Sequence, residues 1–137
     1  VLQDKKSRLL KLKSAFKKIY KEVFFMIGTT KLNIEEIYKN EIEKIKNQII
    51  KQFNPEKIIL FGSCAANTMK FDSDIDLCIV IDTENKRKVK TELYGIEHSI
   101  PLDIIVYTPE EWSKHVKSKQ SFAYIINSEG VVLYDRQ

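Results

Sequence analysis

"ILFGSCAANTMKFDSDIDLCIVI", residues 59–81, holds two apolar runs separated by a Gly-Ser turn and an acidic cluster. Lys57-Ile58-Ile59-Leu60-Phe61 reads as a buried strand, Gly62-Ser63 as a sharp turn, and residues 63–69 as a short helix or turn. Residues 75–81 read as the second strand, with Asp72, Asp74 and Asp76 at alternate positions leading into it. Alternate residues of a strand point the same way, so Asp74 and Asp76 are expected to project together from one face. Two carboxylates that close repel each other unless a cation or a proton lies between them. Hard oxygen ligands at this density suit Mg²⁺, which takes one or two carboxylates and completes its shell with water and phosphates. A two-metal site asks for a third carboxylate. Asp103, within "IPLDIIVYT" (100–108), is the candidate. An unpaired charge in so apolar a strand would cost several kcal/mol if buried, which predicts that this strand lies beside Asp74 and Asp76.

The Gly-Ser turn complements the acids. Gly62 lets the backbone turn tightly and approach a ligand closely. Ser63 offers a hydroxyl and backbone N–H groups at a helix start, where phosphate is accepted. A calcium loop beginning at Asp72 is excluded, because its sixth position is Leu77 rather than Gly and its twelfth is Thr83 rather than Glu. Asp72 itself reads as a solvated turn or cap residue.

The remaining chain supplies a frame for these two strands. Its 137 residues make one domain with a helical extension, and 43% apolar content suffices for a core. No apolar run approaches the roughly 20 residues of a membrane span. The basic first residues lack the apolar segment and cleavage site of a secretory signal, and Cys64 and Cys78 suggest neither a disulfide framework nor a zinc site. A cytoplasmic protein is expected. Nine basic side chains against two acidic ones give residues 1–31 a charge of +7, leaving −3 of the total +4 for the remainder. Within that extension Leu9, Leu12, Phe16, Ile19, Val23 and Met26 form a helical seam ended by Gly28-Thr29-Thr30. It either packs on its own domain or docks a partner or a second copy.

Asn33 caps a second helix, with Glu36 as the reciprocal capping-box member, a buried stripe of Ile34, Ile37, Tyr38, Ile42, Ile45, Ile49 and Phe53, and a stop at Asn54-Pro55. A surface helix is expected over 83–98 with Val89, Leu93 and Ile96 inward, and a third strand over 102–107. Thr108 and Pro109 open a further helix, 121–127 is helical, Gly130 ends it, and Val131-Val132-Leu133-Tyr134 closes the chain as a strand. The expected class is therefore α/β (α+β), a small mixed sheet with packed helices: an extension over 1–31 and a domain over 32–137.

Gly62-Ser63, ten residues, then Asp74-Ile75-Asp76 resembles the GS-x10-D-x-D signature of the DNA polymerase β-like nucleotidyltransferase superfamily, and more narrowly its minimal nucleotidyltransferases. The likeness runs from about Ile34 to the end. It implies that Gly62 and Ser63 bind nucleotide phosphates, that Asp74 and Asp76 ligate Mg²⁺ in a site of two ions, and that Asp103 joins them and helps activate an attacking hydroxyl. Departures exist: Cys64 follows the Ser where a basic residue is common, and Asn67 stands where a second Gly often falls, although Asn tolerates a left-handed backbone. Cys64, beside the turn, is expected to be a reactive thiol of lowered pKa, and Cys78 an inert core residue. His98 and His115 read as surface residues, Trp112 and Tyr124 as sheet packing.

The reaction implied is attack of a hydroxyl on the α-phosphate of an NTP, with ATP as donor by analogy. Nearly core-sized members of this type resemble the antitoxin of HEPN/MNT toxin–antitoxin pairs, which implies a HEPN ribonuclease toxin as partner, silenced by AMP transfer to a tyrosine. Nucleic acid and membrane are not expected as partners, and a homo-oligomer through the N-terminal helix stays open. The alternatives are a transferase acting on a small molecule or RNA, and an antitoxin that neutralises by contact alone.

Overall fold

The computed structural model describes residues 2–26 and 33–137. The expected helix stop at Gly28-Thr29-Thr30 lies outside the described residues. Four strands form one sheet in the order β3-β2-β1-β4: β1 (Lys57–Phe61), β2 (Ile75–Val80), β3 (Leu102–Tyr107) and β4 (Val131–Asp135). β1 pairs antiparallel with both β2 and β4, and β2 pairs parallel with β3. The mixed α+β class expected from the sequence is therefore the class observed.

Why the central strands are continuous apolar runs follows from the layers. Ile58 and Leu60 of β1, with Leu77 and Ile79 of β2, face one core with α2 (Ile34–Phe53), where Ile45 and Ile49 are fully buried. Ile59, Cys78 and Val80 face the opposite core, closed by Trp112 of α5 (Pro109–His115) and by Ala123 and Ile126 of α6 (Phe122–Glu129). A strand covered on both faces has no polar side to show. Burying each of these large aliphatic side chains contributes about 2 kcal/mol.

Local signals place most element ends. Asn54 adopts the left-handed conformation that stops α2 (φ 48°), and Thr108 with Glu111 forms a full capping box on α5. At Asn33 the side-chain oxygen accepts from the Glu35 amide (3.1 Å) rather than from that of Glu36. The helix expected over 83–98 is shorter, α4 (Lys86–Tyr94). Thr83 Oγ1 accepts from the Asn85 amide, Asn85 caps the Lys88 amide, and Gly95 closes the other end. Ile96 is buried as expected, but from the loop that follows.

The extension forms α1 (Leu2–Met26). Its Tyr20 ring meets Phe71 at 5.2 Å, and an open groove of about 360 Å³ runs between Leu9, Leu12 and Phe16 on one side and Ile37, Ile100 and Pro101 on the other. Leu9, Leu12, Phe16, Ile19 and Val23 all remain about half exposed or more. Among the described residues no helix is long and apolar enough to cross a membrane.

Candidate active site

The five residues singled out by sequence converge at one end of β1 and β2. β1 ends at Phe61, whose antiparallel partner is Asp76, so Gly62 starts α3 (Gly62–Ala65) directly beside the Asp76 side chain. Gly62 has φ of +72°, and a Cβ there would collide with Asp76 Oδ2 and lie 3.0 Å from its Cγ. The close approach that this glycine permits is therefore that of a carboxylate within the chain itself. Ser63 follows, half-buried, in the first turn of α3, where helix geometry leaves N–H groups without intrahelical acceptors. The turn is closed by Thr68 N donating to Ser63 O (2.9 Å), and Asn67 holds φ of 56° where a glycine was the common alternative.

Parallel register sets Asp76 of β2 beside Asp103 of β3. By strand alternation both point to the face shared with Cys78 and Ile105, at the end of the sheet, where Asp76 is half-buried and Asp103 exposed. Asp74 precedes the first residue of β2 and is exposed. The expectation that Asp103 carries a burial penalty is thus corrected: its register partner is Asp76, but its own carboxylate reaches solvent. The half-buried acid is Asp76. Burial, then the charges of Asp103 and Asp74, push its carboxyl up from 3.8 to about 6.

Among the described residues no three His, Cys, Asp or Glu side chains form a ready-made cation cage. What the three acids share is an electrostatic field that a hard divalent cation would relieve. Their oxygen donors suit Mg²⁺, a cation that keeps water and phosphate in its shell and needs no closed protein cage.

The neighbours of these acids include two side chains whose roles differ from expectation. Cys64 is buried rather than poised, its thiol pushed up to about 11 by burial and by Asp76, and it donates to the Asp74 carbonyl (3.6 Å). The lowered pKa expected from its place at a helix start is overturned, since desolvation outweighs one short turn of helix. Tyr38, expected only as part of the α2 stripe, places its hydroxyl 2.6 Å from the carbonyl of Ser73. A lone tyrosine in a stripe of isoleucines was the available signal. Burial pushes Tyr38 up to about 12, and Cys78, in the core, also to about 12. His115 is exposed, His98 is half-buried with its ring 2.9 Å from the Ile100 carbonyl oxygen, and Trp112 is buried against Tyr107.

Gly62→Ala is expected to drive the Asp76 carboxyl outward, and the left-handed backbone adds a cost of about 1 kcal/mol. Carboxyl ¹³C titration should then find Asp76 titrating below about 6, nearer the ordinary 3.8. An unmoved titration would mean that the glycine is not what admits this carboxylate.

The family model described as "Polymerase beta, Nucleotidyltransferase" matches residues 43–137. Among solved structures, a Sulfolobus solfataricus chain provisionally described as a nucleotidyltransferase is 19% identical, with a TM-score of 0.49 over 78% of this chain and 93% of that one. No curated protein matches the sequence.

Proposed function

The chain belongs to the polymerase beta nucleotidyltransferase family, and on that footing we propose that it moves AMP from ATP to a hydroxyl of a partner protein, as the antitoxin that silences a HEPN-type ribonuclease toxin. The observation that carries the chemistry is the placement of Asp76 beside both Asp103 and the Gly62-Ser63 turn. Asp74, Asp76 and Asp103 would hold Mg²⁺, as two ions, which when bound neutralises phosphate charge and lowers the pKa of the attacking hydroxyl. The backbone around Gly62 and Ser63 holds the triphosphate. Asp103, exposed at the rim, receives the proton of the acceptor hydroxyl. The acceptor oxygen bonds to the α-phosphorus as the bond to the β-phosphate oxygen breaks, and pyrophosphate leaves. Positioning and charge complementarity do most of the catalysis.

Support for a protein acceptor comes from α1, which falls within a proposed extension over 1–31 attached to a proposed transferase domain over 32–137. Leu12, Ile19 and Val23 lie along one exposed apolar face, flanked by basic side chains, and large exposed patches of this kind mark interaction surfaces. Cys64, turned inward, supplies no phosphate contact. That feature favours a second reading, an antitoxin that acts by contact alone.

Mass spectrometry of the neighbouring gene's product, co-expressed with this chain, separates the readings. The proposal expects one AMP on a tyrosine of that product; an unmodified product in a stable complex contradicts it. Leu12→Asp combined with Ile19→Asp should weaken that complex by about 30-fold in Kd, a loss of about 2 kcal/mol, without lowering the Tm of the isolated chain. Calorimetric titration of the partner provides the check.

A further inference from the structure

Asp74 lies outside the strand ladder that fixes Asp76, so something else must hold its backbone. Residues 70–73 form a turn in which Ser73 N donates to Lys70 O (3.0 Å) and Lys70 N donates to Ser73 Oγ (2.8 Å). The Tyr38 hydroxyl reaches into this turn from α2. Its nearest acceptor is Ser73 O at 2.6 Å, with Lys70 O at 3.1 Å and Phe71 O at 3.4 Å. The Tyr38 ring is 3% exposed and set in the main core, so the hydroxyl is delivered from a rigid base. One residue further along, the buried Cys64 thiol donates to Asp74 O at 3.6 Å. Beyond that, Ile75 N donates to Pro101 O (2.9 Å) and the ladder begins.

We propose that Tyr38, assisted by Cys64, is a positioning residue that holds the carbonyls of Ser73 and Asp74 and thereby aims the exposed Asp74 carboxylate toward Asp76 and Asp103. The physical logic is that, among the described residues, the exposed Asp74 carboxylate has no hydrogen bond or ion pair of its own to orient it. Its direction is inherited from the two peptide planes that flank it, and each of these is held by a donor from the core. The consequence for metal affinity rests on the reading of Asp74 as a metal acid. Groups that orient ligands in this way change metal affinity by about 10-fold or more when removed.

The test uses the whole chain. Tyr38→Phe keeps the ring and removes the hydroxyl; Cys64→Ala removes the thiol, and Cys64→Ser keeps a donor. Mn²⁺ affinity, read by electron paramagnetic resonance with a non-hydrolysable ATP analogue, should fall about 10-fold in Tyr38→Phe. It should fall less in Cys64→Ala and hold in Cys64→Ser. Amide exchange of metal-free Tyr38→Phe should accelerate about 10-fold at Lys70 and Ser73 while the amides of β1 keep their protection. Ile126→Val, in the opposite core, controls for lost stability and should leave both readouts unchanged. Unchanged exchange in Tyr38→Phe overturns the proposal, as does wild-type Mn²⁺ affinity in that variant. A wild type that binds no Mn²⁺ removes the metal reading, and the exchange data then decide alone whether Tyr38 holds the turn.

Discussion

Asp76→Asn is expected to abolish transfer and to stabilise the metal-free protein at the same time. Removing one shared acid from a proposed two-ion site costs about 4 kcal/mol of transition-state stabilisation, roughly 10³-fold in rate. The stability gain has a separate origin. With its carboxyl raised from 3.8 to about 6, Asp76 holds its proton in the folded chain over a range where the unfolded chain has lost it. This group's contribution is therefore most favourable below about pH 4 and declines as pH rises to about 6. At pH 7 the folded protein carries a half-buried carboxylate that also feels the charges of Asp103 and Asp74, and an amide removes both the cost of burying the charge and the repulsion. Because the site is open to water, the gain is about 1 kcal/mol. Thermal melts of both forms between pH 4 and pH 8 give the check. The wild-type curve should lose stability from 4 to 6 relative to Asp76→Asn, and parallel curves would show that the field at Asp76 is weaker than its surroundings imply.

The largest loss of stability is expected at Gly130, which lies across β1 from Asp76 and is not one of the acids. It ends α6 by donating its amide to Ile126 O (2.8 Å) and lies flat against β1. A Cβ there would collide with Ile126 O and approach Ile59 Cγ2 to 2.6 Å and Leu60 O to 2.9 Å. Two of these atoms are backbone carbonyls, so relief requires α6 and β1 to separate, opening the core around Ile59, Ala123 and Ile126. Gly130→Ala should cost about 3 kcal/mol, the upper part of the usual overpacking range, and lower Tm by about 10 °C. Gly95→Ala is the matched control. Its Cβ would meet only Glu92 O at 3.2 Å and Thr91 O at 3.9 Å, and the change in Tm should be small.

Much of the fold was legible because the strongest signals were redundant. β1 and β2 are apolar on both faces, bounded by Pro55, Gly62 and an acidic turn, and no helix could occupy runs so short. The adjacency of Asp76 and Asp103 was legible only through the family resemblance and the oddity of a charge in an apolar strand. Spacing alone does not encode parallel register. The burial argument for Asp103 failed for a related reason: position at the end of an edge strand, not the apolarity of the strand, decides whether a carboxylate reaches water. Cys64 misled because a helix terminus and a core position make opposite demands on a thiol, and sequence shows only the first. The start of α4 was set by Asn85 and its end by Gly95, whose capping bonds outweigh an apolar periodicity that continues to Ile96. Tyr38 was read as packing because periodicity describes where a ring points, not where its hydroxyl ends.

The most direct measurement is transfer of label from α-³²P-ATP with Mg²⁺ into the purified product of the neighbouring gene, comparing wild type with Asp74→Asn/Asp76→Asn. Label on that protein with the wild type, absent with the double variant although the complex still forms, is the result expected of a nucleotidyltransferase built on these acids. A stable complex that takes no label from any of the four NTPs would contradict it and leave neutralisation by contact as the activity of this chain.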